Sequence, residues 1–212
     1  ISRTIRQYAE IDVNTLLHLG CGGGHIDLTL KKDFHVTGVD LSEEMLGLAR
    51  RLNPEVTYLQ GDMRTIQLEK SFDAVLLADS IAYMLTEEDL RAAFRSACTH
   101  LKPGGVLLTF AEFTQERFQQ HHTECTTNAQ GDVEITYIEN YYDPDPADTT
   151  YEVIFVYLIR RQGQLEIQTD AHIAGIFPLA IWPRCLQEVG FQVQPLTFEG
   201  YDIPTFVCLK TP

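Results

Sequence analysis

The chain has 212 residues, 44% hydrophobic and 22% charged, which is ordinary usage for one globular domain able to bury a real core. Sixteen basic residues against thirty acidic ones give a net charge of −14, and such a surface repels phosphate backbones, so DNA and bulk RNA are poor partners. No run approaches the roughly eighteen apolar residues of a membrane span, no signal-peptide pattern is visible, and the five scattered cysteines form no Cys-x-x-Cys pair that would indicate a zinc site or a disulfide framework.

Ser2 to Glu10 reads as a helix that turns Ile5 and Tyr8 inward. The next stretch, Leu16 to Gly24, is Leu-Leu-His-Leu-Gly-Cys-Gly-Gly-Gly, an apolar run ending in glycines, with a helix-like segment from His25 to Lys31 behind it. This is the form of a buried parallel strand turning tightly into a helix. Glycine is needed where a ligand approaches the backbone closely, and a helix start offers unpaired N–H groups. A dinucleotide fingerprint, Gly-x-Gly-x-x-Gly, would put its third glycine where this chain has His25. Here the glycines fall instead at Gly20, Gly22 and Gly24, with Cys21 between the first two. A tight turn that holds no ligand is the competing reading.

Phe34 to Val39 reads as a second strand ending in Asp40 and Leu41; an acid at that tip is placed to accept from a ribose diol. Ser42 can cap a helix with Glu43 and Glu44 in its first turn and Met45, Leu46, Leu48, Ala49 and Leu52 as its apolar face. Val56 to Gln60 is a third strand that stops at Gly61-Asp62-Met63. A fourth, Phe72 to Ala78, ends at Asp79-Ser80 with Tyr83 close behind. Ligands of open α/β sheets lie outside the carboxyl ends of the strands, so these residues should face cofactor or substrate. Thr86-Glu87-Glu88-Asp89 resembles a capping box and opens a helix carrying Leu90, Ala93, Phe94, Ala97 and Leu101 on one face. Leu101-Lys102-Pro103-Gly104-Gly105 turns into a fifth strand, Val106 to Phe110. Strands joined by such crossovers make a parallel sheet.

After Glu112 the pattern changes. Phe113 to Gln130 is polar and mixed, with room for one short helix. Val133 to Tyr142, Thr150 to Arg161 and Gln164 to Phe177 then read as three strands separated by good turn compositions. With no helix between them they should pair antiparallel. Leu179 to Val189 is the last helix, in which Pro183 suits only the first turn or a kink, and two further strands follow.

The Gly20-x-Gly22-x-Gly24 turn, Asp40, Asp62-Met63 and the Leu-Lys-Pro-Gly-Gly turn together resemble the class I S-adenosylmethionine (SAM) methyltransferases over residues 14–110 and 178–210. Within that family the chain is similar to sugar N,N-dimethyltransferases and glycine/sarcosine-type N-methyltransferases. The resemblance implies an α/β fold: a doubly wound, mostly parallel, Rossmann-like seven-stranded sheet. Between strand five and the last helix it implies an inserted antiparallel three-stranded lid. The expected organisation is a single domain over residues 1–212, with a core of 1–111 and 178–212 and a lid of 112–177. SAM is the implied cofactor, S-adenosylhomocysteine its product, and a nucleophilic nitrogen or oxygen of a small molecule the acceptor. No metal, nucleic acid or membrane is expected, a homodimer is left open, and the setting is cytoplasmic. The implied cofactor set is Gly20, Cys21, Gly22, Gly24, Asp40, Leu41, Asp62, Met63, Asp79 and Ser80, with Asp62 taking the adenine amine and Met63 covering the ring.

Relatives carry a further N-terminal segment over SAM, of which Arg3 and Tyr8 are the only counterparts here, so either residues precede Ile1 or the site is more open. Tyr83 and His172 are the expected catalytic side chains. The hydroxyl can orient a nucleophile, and the imidazole, on one strand face with Asp170 and Ala174, can take a proton. His121 and His122 rank below them, and core packing for Tyr83 or a purely structural hydrogen bond for His172 stays open. Two other functions fit the same fold, a non-catalytic SAM-binding module and an NAD(P)-dependent oxidoreductase.

Overall fold

The computed structural model describes residues 1–198 and 201–211. In chain order the elements are α1 (Ser2–Tyr8), β1 (Thr15–Leu19), α2 (Asp27–Leu30), β2 (His35–Asp40), α3 (Glu43–Leu52), β3 (Thr57–Gln60) and β4 (Phe72–Leu77). A 3-10 helix (Asp79–Tyr83), α4 (Glu87–His100), β5 (Leu101–Phe110), β6 (Thr123–Gln130), β7 (Val133–Tyr142), β8 (Thr150–Arg161) and β9 (Gln164–Gly175) follow. The chain closes with α5 (Ile181–Glu188), β10 (Phe191–Phe198) and β11 (Tyr201–Lys210).

β1 and β4 are buried along nearly their whole length and mostly apolar, with Thr15, His18 and Asp73 as their polar residues, because both faces of the central strands are covered. They sit in a seven-stranded sheet of order β10-β11-β5-β4-β1-β2-β3. β1 pairs with β2 and β4, β2 with β3, and β4 with β5, all parallel, while β11 runs antiparallel to both β5 and β10. One apolar layer, with Leu17, Leu19, Phe72, Phe94 and Trp182, lies on one face of the sheet. The other, with Ile5, Leu16, Leu46 and Leu76, lies on the opposite face. Strand order reverses between β1 and β4, and the crevice at that switch point is where such sheets take ligands.

Several expectations meet corrections. The helix expected over His25 to Lys31 shrinks to α2, because His25 and Ile26 still belong to the turn, which a long 3.3 Å bond from Leu28 N to the Gly24 carbonyl joins to the helix. In α3 only Leu46 and Ala49 are buried, while Met45 and Leu48 stand exposed beside the glycine turn. Pro183 falls in the first turn of α5, where its missing N–H costs nothing.

The inserted lid has four strands, not three, in the order β6-β7-β8-β9, all antiparallel. The extra strand is β6, within the stretch read as a short helix. It is an edge strand with every residue exposed, so no apolar period marks it. The lid rests on the loop after the 3-10 helix: Thr149 Oγ1 donates to the Leu85 carbonyl at 2.7 Å, and Thr149 O accepts from Ile176 N at 2.8 Å.

A buried carboxylate ties the sheet together at its other end. Asp73 on β4 accepts from Asn14 N, Thr15 N, Thr15 Oγ1 and Lys102 Nζ at 2.7–3.0 Å. Burial alone would raise its pKa, but the Lys102 ammonium and the Asn14 and Thr15 donors outweigh burial and hold it at about 2. A folded-state pKa below the unfolded one stabilises above the unfolded value and loses that stability as pH falls through the folded one. About 2 kcal/mol should therefore disappear between pH ~4 and pH ~2. Urea unfolding across that range should show Asp73→Asn less stable at neutral pH but missing this acid-dependent loss. An equal acid loss in both proteins would contradict the assignment.

Candidate active site

The crevice is built on the turn after β1. Gly20 N and Cys21 N both donate to the Val39 carbonyl, at 2.7 and 3.0 Å, locking the turn to the end of β2. Asp40 follows at once. Its Oδ2 accepts from Gly22 N at 2.7 Å and its Oδ1 from Ser42 N at 2.9 Å, so one carboxylate fixes both loops that face the crevice. Ser80 Oγ donates to the Gly20 carbonyl at 2.7 Å. A Cβ built on Gly20 would stand 2.4 Å from Ser80 Cβ and 2.8 Å from Met63 Cε, so Met63 and Ser80 close on that glycine.

The other two glycines do different work. Gly22 has φ +51°, and a Cβ there would meet only Met45 Cε at 3.5 Å, so protein packing leaves the space above it open. Gly24 points the other way. Its Cβ position lies 2.7 Å from Tyr58 Oη and 2.8 Å from Asn53 Nδ2. Those atoms belong to a buried network in which Asn53 donates to the Gly24 carbonyl (2.9 Å) and Tyr58 to Asp27 Oδ2 (2.9 Å). Asp27 Oδ1 in turn meets His18 Nδ1 at 2.7 Å. Gly24 is thus turned towards this support and away from the crevice. The Cys21 side chain is buried too, its thiol pushed well up by burial and by Asp27 and Asp40, so only its backbone reaches the turn's surface. Exposed apolar residues rim the turn: Leu41 is 67% exposed, and Met45 and Leu48, to which no site role was assigned, stand over Gly22 and Gly23.

Asp62 follows β3 and is held there by an arginine. Arg64 grips it with its backbone N–H (2.9 Å) and guanidinium (2.6–3.1 Å), and the same guanidinium reaches Asp89 at 2.7 Å. The Arg64 bonds hold the Asp62 carboxyl below the usual carboxylate range. An ionised carboxylate has about four lone-pair sites, and here Arg64 takes most of them. Such an i, i+2 grip leaves no periodic signature in the sequence.

Tyr83 and His172, 89 residues apart, meet: Tyr83 Oη lies 2.8 Å from His172 Nδ1, and His172 Nε2 lies 2.9 Å from Asp170 Oδ2. Phe155 packs edge-on against the imidazole, with ring centroids 5.1 Å apart. Burial, then Asp170 and Asp40, raise the Tyr83 phenol, which stays protonated at neutral pH. His121 and His122 stack on Tyr142 and Tyr141 of β7.

A cavity of about 170 Å³ opens at the base of the inserted segment, lined by Glu112, Phe113, Arg117, His122, Glu124 and Tyr141 among others. Glu112, just past β5, had no assigned role. Desolvation in the cavity, then Asp79, Glu139 and Glu124, raise its carboxyl. Glu124 and Glu139 lie directly opposite each other across β6 and β7, an arrangement that repels unless a cation intervenes. Tyr151 of β8 packs on Phe113 and Phe118 of the cavity, and the same strand carries Phe155 against His172, so β8 links the cavity to the Tyr83–His172 pair. Among the described residues, no cluster of His, Cys, Asp and Glu could hold a metal ion, and no helix is long and apolar enough to cross a membrane.

An open, doubly wound sheet with a glycine turn at its switch point and an acid at the tip of β2 defines a nucleoside-binding class of protein. The comparisons narrow it: the Methyltransferase domain family matches residues 16–105. "Putative methyltransferase YqeM" of Bacillus subtilis is 31% identical over 194 residues, 88% of this chain and 77% of that protein. The dTDP-3-amino-3,4,6-trideoxy-alpha-D-glucopyranose N,N-dimethyltransferase of Streptomyces venezuelae is 29% identical over 187 residues, 87% of this chain and 78% of the relative. Among solved structures, SAM-bound CalS10 is an amino pentose methyltransferase from Micromonospora echinaspora. It superposes with a TM-score of 0.87 at 25% identity, covering 99% of this chain and 88% of that one. The chain belongs to the class I SAM-dependent methyltransferases.

Proposed function

We propose that this methyltransferase moves the methyl group of SAM to an amino nitrogen of a small, amine-bearing acceptor of the amino-sugar class. The cradle fits the cofactor. Asp40 offers carboxylate oxygens at the tip of β2, Gly22 leaves clear space, and Met63, Ser80, Leu41 and Met45 supply apolar and polar walls. SAM supplies a methyl group on its own sulfonium leaving group, so the protein's tasks are binding, alignment and exclusion of water.

The observation that carries the acceptor is the pair of carboxylates Glu112 and Glu124 in the cavity, with Glu139 opposite Glu124 across β6 and β7, while Arg117 of the same lining is paired with Asp202. These carboxylates attract a cationic amine and repel a carboxylate or a phosphate. Similar proteins whose names specify amino-sugar N-methylation support the same reading. Tyr83 and His172 are the catalytic pair in this reading, since the amine must surrender a proton before its lone pair can attack.

Calorimetry with SAM and NAD in parallel tests the cofactor, and binding of NAD alone would end the proposal. A panel of amino-sugar, hydroxyl and carboxylate acceptors, read by mass spectrometry, tests the rest. A 14-dalton gain, the mass of a methyl group replacing hydrogen, is expected on amines and would overturn the acceptor assignment if confined to hydroxyls or carboxylates.

A further inference from the structure

We infer that Asp170 is the positioning residue of a three-group proton path, Tyr83–His172–Asp170, that deprotonates the acceptor's ammonium; the inference rests on the amine-methylation reading above. Asp170, held below the usual carboxylate range by its bond to His172, is ionised and can only accept. The proton between the two groups must therefore sit on His172 Nε2. In a neutral imidazole Nδ1 is then the acceptor, so the 2.8 Å contact is a donation from Tyr83 Oη. With its hydroxyl hydrogen turned into the lid, Tyr83 keeps its oxygen lone pairs for the crevice, where they can accept from an ammonium N–H.

The groups facing the imidazole fit this direction. Phe155 from β8 meets it edge-on, Tyr83 comes from the 3-10 helix, and Asp170 comes from its own strand. Tyr157 of β8 lies close enough to act on Tyr83, as do Asp170 and Asp40. Among the described residues, Asp170 is thus the one carboxylate bonded to the ring. The step balances without electron transfer. An ammonium N–H bond breaks and its proton joins Tyr83 Oη, whose own proton passes to His172 Nδ1. The imidazolium so formed is paired with Asp170, and the amine is left with a free lone pair. Without the carboxylate the ring can take the other tautomer. Nδ1–H then donates to Tyr83, the hydroxyl hydrogen turns towards the crevice, and it meets the ammonium hydrogen to hydrogen.

The test compares the native protein with Asp170→Asn and Asp170→Glu. Long-range nitrogen–hydrogen NMR of the imidazoles, with His172 assigned by its loss in His172→Gln, is read on the free protein. The native ring is expected as a single Nε2–H tautomer and the Asn variant as a mixture. Kinetics with an amine acceptor should show kcat falling about tenfold or more in Asp170→Asn, part of the roughly 10²–10⁴ that a positioned proton-transfer group contributes. KM for both substrates should stay within about twofold, and Asp170→Glu should recover part of the rate. An Nδ1–H tautomer in the native protein, or unchanged kcat in Asp170→Asn, overturns the inference. If no amine is methylated the functional reading fails by itself, and the tautomer still decides whether Asp170 orients the ring.

Discussion

Asp40→Ala is expected to lower affinity for SAM at least tenfold while the protein remains folded. The carboxylate has two duties. It holds Gly22 N and Ser42 N, and so keeps the glycine turn and the start of α3 in register. Its remaining lone pairs face the crevice, where a ribose diol would sit. Hydrogen bonds to a charged group contribute about 1.5–3 kcal/mol each, so losing even one to the cofactor is worth a factor of ten or more. Calorimetric titration measures the affinity and a thermal melt checks the fold. A folded variant that binds SAM normally would remove Asp40 from the site.

Gly22 and Gly24, two residues apart, should fail in opposite ways. Gly22→Val places a branched side chain in the open space above the turn and should abolish SAM binding. Its backbone cost is the roughly 1–2 kcal/mol of a left-handed conformation, and among the described residues beyond its chain neighbours the nearest atom to its Cβ is Met45 Cε at 3.5 Å. Gly24→Ala pays a similar backbone cost and also drives its methyl into Tyr58 Oη and Asn53 Nδ2. Overpacking there adds about 1–3 kcal/mol, so the loss should reach about 2–5 kcal/mol and appear in chemical denaturation. A Gly22 variant that unfolds, or a Gly24 variant as stable as the native protein, would reverse the roles assigned to them.

Much of the crevice was legible because its parts are consecutive in the chain. The apolar β1 run ends in glycines, Asp40 closes β2, and Ser80 and Tyr83 follow β4, so each group's place at a strand end is set by its own neighbours. Capping was equally local. Thr86 accepts from Asp89 N as the spacing implies, and Ser42 accepts from Met45 N. What escaped was either unpatterned or distant. β6 has no buried face and so no period to read. The Arg64 grip on Asp62 and the internal network that Gly24 faces carried no motif, because those partners are near in space and unpatterned in the chain.

By itself, then, the sequence determined the open parallel sheet, the position of the glycine turn and the identity of the acid at the tip of β2, since hydrophobic periodicity and turn chemistry act over a few residues at a time. Only the tertiary structure decided how the lid is laid over the crevice. Alternation put Asp170 and His172 on one face of β9, but which side chain His172 would meet depended on the register of β8 with β9 and on the loop contact at Leu85. The pairing of β6 with β7 sets Glu124 opposite Glu139, and the chain between β5 and β6 folds back to bring Glu112 into one cavity with Glu124. Those contacts join residues far apart in the chain. Their geometry comes from the packing of one sheet against another, which no local pattern encodes.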